Sequence, residues 1–141
     1  MANSQHKQHP PARDWMASVP LGTSVHFCRV TQLGFLRCLS TASIMGAGVL
    51  TQRECWAAYD LVLTDDRISL LSEPRGLALR FHNVSDRDEI SPKRWADDYI
   101  LAFAEAANLT LVTFDRALAA RASISILLRP SVSSELSSEV V

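Results

Sequence analysis

Residues 94 to 115 read RWADDYILAFAEAANLTLVTFD, an almost unbroken apolar run with Asp97 and Asp98 at one end and Asp115 at the other. Ser91 and Pro92 supply a helix start, because proline is tolerated in a first helical turn, so a helix is expected from about residue 91 to about Asn108. LTLVT (109–113) reads as a buried strand and FDRALAARA (114–122) as a short helix, with SISILL (123–128) as a final strand.

Upstream, the same alternation recurs. Pro10 and Pro11 open a first helix with Ala12, Trp15, Met16 and Val19 at helical spacing, stopped by Pro20, Gly22 and Thr23. SVHFC (24–28) suits a short strand, and RVTQLGFLRCLS (29–40) a helix with a broad apolar face of Val30, Leu33, Phe35, Leu36 and Leu39. Gly46 and Gly48 mark a loop. Thr51 with Glu54 three residues later forms a capping box for TQRECWAAYDLVL, and RISLL (67–71) is a strand. EPRGLALRFHNV (73–84) supports a brief helix only. Strands alternating with helices argue for a parallel sheet with helices on its faces.

At 141 residues the chain is one ordinary domain, read as residues 1–130 with a Ser-rich acidic tail, 131–141, expected to be disordered. A hydrophobic fraction of 48% and a formal net charge of -1 give no global attraction to nucleic acid or membranes, so any polyanion site must be a local patch. Cys28, Cys38 and Cys55 are odd in number and lack metal-ligand spacing, which predicts buried structural thiols in a reducing cytosol. No apolar run reaches transmembrane length and the polar N-terminus has no signal-peptide core, so the expected location is the cytoplasm.

Each helical residue advances about 100°, which puts Ile100, Leu101, Ala104 and Asn108 within about 60° of Asp97, on the buried stripe. Asp98 falls on the flank near Glu105, where a solvated carboxylate is expected. The structural alternatives are plain: Asp97 as a first-turn carboxylate on the helix dipole, Asp115 as an N-cap. Topology favours more, because ligands of open parallel sheets gather at the carboxyl ends of strands, where Thr113 and Asp115 would lie. Two carboxylates converging with no Lys or Arg interleaved suggest a divalent cation.

The stretch W-x-D-x-Y-I-x-A-F-A (95–104), followed by LTLVTFDR, resembles PIN-domain proteins, and more closely the VapC-like toxins of bacterial toxin–antitoxin pairs. TQLGFLR (31–37) resembles the same subgroup, and the likeness spans roughly residues 5 to 128. The resemblance implies a three-layer α/β/α sandwich with a mainly parallel sheet, and cleavage of RNA with Mg²⁺ or Mn²⁺ held by acidic side chains. It makes Asp97 and Asp115 the metal-holding catalytic carboxylates and Thr113 their support. It also implies a cognate antitoxin whose C-terminal segment blocks the cleft, and a homodimer. Arg94 and Arg116, flanking the two acids, are candidates to guide RNA phosphates.

The chain departs from the family pattern in two places. PIN domains begin with a hydrophobic strand ending in an Asp, typically D-x-N, and MANSQHKQHPPARDW matches only the loop and helix that follow it. The expected acid on the helix after the next strand is also replaced, since RVTQLGFLR offers Gln32 and Gly34. The expectation is therefore a start set too far downstream, or a shortened member. The rival reading is a non-catalytic PIN-like remnant that binds an antitoxin or dimerises; a more distant one is an unrelated α/β binding module whose Asp97 and Asp115 are only caps. His6, His9, His26 and His82 have no ligand spacing, Trp15, Trp56 and Trp95 suit core edges or an interface, Arg37 reads as solvated, and GAG (46–48) as a turn.

Overall fold

The computed structural model describes residues 9–128, with side chains from Asp14 onward. The expectations for the tail 131–141 and for His6 lie outside these residues. The element order is α1 (His9–Ser18), β1 (Val25–Phe27), α2 (Arg29–Leu39), α3 (Ala42–Met45), a 3₁₀ turn (Gly46–Gly48), α4 (Gln52–Val62), β2 (Ile68–Leu70), α5 (Leu77–Ser85), α6 (Trp95–Ala106), β3 (Leu111–Thr113), α7 (Arg116–Arg121) and β4 (Ser125–Leu127). This is the alternating α/β order read from the sequence.

Local chemistry sets the boundaries. At α4 the Thr51 hydroxyl accepts from the Glu54 N–H at 3.2 Å while the Glu54 carboxylate accepts from the Thr51 N–H at 2.9 Å, which satisfies two orphan donors reciprocally. Helix α6 begins at Trp95, later than Ser91–Pro92 suggested. The Arg94 N–H closes a tight turn onto the Ser91 carbonyl at 3.1 Å, and the first α-type bond is from the Asp98 N–H to the Arg94 carbonyl at 2.9 Å. At its other end Asn108 takes a left-handed φ of 53° and the Leu109 N–H reaches back to the Ala104 carbonyl at 2.8 Å, a stop that asparagine tolerates better than most residues.

Strand pairing is parallel throughout. Val25, His26 and Phe27 of β1 pair with Ile68, Ser69 and Leu70 of β2, and Leu111, Val112 and Thr113 of β3 pair with Ser125, Ile126 and Leu127 of β4. The single sheet expected from the alternation is instead two pairs, and among the described residues no ladder hydrogen bond joins β1–β2 to β3–β4.

Helix α6 does most to unite the core. Ala102 and Phe103 pack with Cys28 and Leu77, while Leu101 packs with Leu111 and Leu118 under β3 and α7. A separate cluster of Leu39, Met45, Cys55 and Ala58 joins α2, α3 and α4. Cys28 and Cys55 are buried as expected, but Cys38 is exposed because it lies on the outer face of α2. Arg67 ties the chain start to β2, donating to the carbonyls of Met16 at 2.7 Å and Val19 at 3.0 Å and pairing with Asp65.

Candidate active site

Asp97 stands in the first turn of α6 and is partly buried; Asp115 is the N-cap of α7, immediately beyond β3. The Asp115 Oδ1 accepts from the Leu118 N–H at 3.0 Å, so the cap role is real, and the Asp115 N–H donates to the Thr113 hydroxyl at 3.0 Å. Thr113 thus fixes the turn that presents Asp115. Burial raises the Asp97 carboxyl above the ordinary carboxylate range, and the negative charge of Asp115 raises it further. Two residues 18 positions apart in sequence are therefore electrostatic neighbours at one end of the fold.

Asp98 is not the solvated residue expected. It is 1% exposed, and it accepts from Arg87 Nη1 at 3.2 Å, from Arg87 Nη2 at 2.7 Å and from Arg121 Nη2 at 2.5 Å. Burial opposes its ionisation, but the two guanidinium groups prevail and hold its carboxyl below the usual range. Helical angle separated Asp98 from Asp97 by about 100° and assigned it to a solvated flank. It did not reveal what packs on that side, because Arg87 and Arg121 come from outside the stretch and meet it only through the fold. No Lys or Arg stands between Asp97 and Asp115 in the sequence, and in space the two arginines that arrive bond Asp98.

Of the two arginines proposed to guide phosphates, Arg94 is exposed and 3.3 Å from Glu89, and Arg116 is exposed at the start of α7. Gln32, standing where the family pattern has an acid, is buried and accepts from Arg29 Nη1 at 2.5 Å. Among the described residues no group of three or more His, Cys, Asp and Glu side chains converges as a metal cluster. A pair of carboxylates still fits a hard cation such as Mg²⁺, which keeps most of its waters and commonly uses one or two carboxylates with substrate phosphate oxygens.

A family model of the PIN domain matches residues 2–124. The chain belongs to the PIN-domain family. The PIN-domain assignment agrees with two relatives from Mycobacterium tuberculosis, strains CDC 1551 / Oshkosh and ATCC 25618 / H37Rv, each named Ribonuclease VapC41. Each is 40% identical over 121 residues, which cover 83% of this chain and 83% of the relative. This PIN-domain protein is thus VapC-like, as TQLGFLR and LTLVTFDR suggested.

Proposed function

We propose that this chain is a metal-dependent endoribonuclease, the toxin of a VapBC-like toxin–antitoxin pair. The observation that carries the reading is the placement of Asp97 at the start of α6 within electrostatic reach of Asp115 beyond β3, supported by relatives named as ribonucleases. Asp97 and Asp115 would hold Mg²⁺ or Mn²⁺, with Thr113 keeping Asp115 in register through its backbone N–H. When bound, such a cation activates water for attack on the phosphodiester and stabilises the departing oxygen. Partial burial and the neighbouring charge of Asp115 make the Asp97 charge costly, a cost that a bound cation would offset.

The same reading carries a cytoplasmic setting, a cognate antitoxin and a homodimer; among the described residues no helix is long and apolar enough to cross a membrane. Exposed Ile90 and Trp95 beside the start of α6 support a partner surface there. The second reading, a non-catalytic remnant that keeps the partner surfaces, is favoured by one observation: only two acids converge among the described residues.

Cleavage of a mixed RNA pool with Mg²⁺ or Mn²⁺, beside Asp97→Asn, tests the two. Cutting that disappears in the variant supports the nuclease, and cutting that persists unchanged in the variant removes Asp97 from the site. No cutting by either protein favours the remnant.

A further inference from the structure

Arg121 closes α7 six residues after Asp115, and its guanidinium is only half satisfied. Nη2 donates to Asp98, while among the described residues nothing accepts from Nη1 or Nε, and the side chain is 31% exposed. Arg87, on the other side of the same carboxylate, is occupied. Its two terminal nitrogens contact both oxygens of Asp98 and Nη1 also donates to the Val84 carbonyl at 2.9 Å, while its Nε, buried and without a hydrogen bond among the described residues, is within ion-pair distance of Glu89 at 2.9 Å. Arg87 thus has two carboxylates beside it, Asp98 and Glu89, whereas among the described residues Arg121 is paired with Asp98 alone, and the open donors belong to Arg121. The charge of Arg121 also reaches Asp97, opposing the rise of its carboxyl.

We infer that Arg121 is a phosphate-contacting residue for RNA, anchored through one nitrogen by buried Asp98 so that its remaining donors serve a phosphodiester brought to Asp97 and Asp115. A guanidinium held on a buried carboxylate loses less rotamer freedom on meeting a phosphate than a free surface arginine does, and its planar fork matches phosphate oxygens. The identity of the ligand rests on the nuclease reading; the half-satisfied guanidinium does not.

The test is binding of a labelled single-stranded RNA of mixed sequence, followed by fluorescence anisotropy in EDTA from about 50 to about 200 mM salt. Arg121→Gln is expected to weaken binding about tenfold and to lower the slope of log K against log salt by about 0.7, the share of one single-strand phosphate contact. Arg121→Lys, which keeps the charge, is expected to hold the wild-type slope. Arg87→Gln disturbs the same Asp98 network from the side whose terminal nitrogens are taken up inside the protein and whose Nε is buried, and is expected to lower the melting temperature while leaving the slope unchanged. The inference is overturned if Arg121→Gln binds with wild-type affinity and slope, if Arg87→Gln lowers the slope equally, or if the wild type binds no RNA. In Mg²⁺ or Mn²⁺, Arg121→Gln is expected to raise KM with kcat within a few-fold. A wild type that binds with this pattern yet does not cleave upholds the phosphate contact and refutes the nuclease.

Discussion

Arg121, the last residue of α7, donates to the buried Asp98 of α6, so the helix capped by Asp115 is tied to the helix that carries Asp97. The adjacent acids of α6 therefore divide the work. Asp98 is neutralised inside the protein and locks two helices, whereas Asp97 is left with a neighbouring negative charge and no bonded cation among the described residues. A carboxylate in the second situation is suited to recruit a cation; one in the first is not.

Asp97→Asn is expected to abolish metal-dependent RNA cleavage without loss of stability. The folded carboxyl titrates above its unfolded value, so the native state binds the extra proton, and this contribution to stability is lost as pH rises through the raised folded value. At neutral pH without metal the Asn variant should melt no lower than wild type. Thermal melts with and without Mg²⁺ check this: the ion should raise the wild-type midpoint and leave the variant's unmoved.

At Asp115 the cap and the proposed ligand can be separated. Asn caps as well as Asp, so Asp115→Asn should keep the bond from the Leu118 N–H and stay within about 0.5 kcal/mol of wild type in urea unfolding. Asp115→Ala should lose about 1 kcal/mol. Both should lack cleavage activity. An active Asp115→Asn would leave this residue as a cap alone.

Removing the charge of Asp98 leaves two guanidinium groups facing an uncharged partner. Asp98→Asn is expected to cost about 3 kcal/mol, the low end for breaking a buried pair, since Arg87 and Arg121 are partly exposed. Its folded carboxyl titrates below the unfolded value, so its contribution is present above the unfolded value and disappears as pH falls through the lowered one. Acid unfolding of the wild type should therefore be steeper than that of Asp98→Asn; parallel acid-denaturation curves would contradict the ion pairs.

Thr51→Ala removes half of the reciprocal cap on α4 and is expected to cost about 1 kcal/mol, with RNA cleavage unchanged because α4 packs on the α2–α3 cluster and not on the acidic end. Urea unfolding with a parallel activity assay reads both.

What was legible in the sequence was local or periodic. The α4 capping box, the β3 strand of LVT and the cap at Asp115 each depend on residues a few positions apart, and each stands in the fold; the stripe read for α6 holds only in part, since Leu101 and Ala104 are buried but Asn108 is exposed and Asp98 lies inside. The opening motif also gave the PIN-domain family. Tertiary structure alone decided the division of the strands into two parallel pairs, the exposure of Cys38 and the fate of Asp98. No helical angle could foretell that Arg87, 11 residues before Asp98, and Arg121, 23 residues after it, would close on one carboxylate. Periodicity tells which way a side chain points from its own helix; charge pairing depends on what the rest of the chain brings to that side, and burial then makes the pairing obligatory.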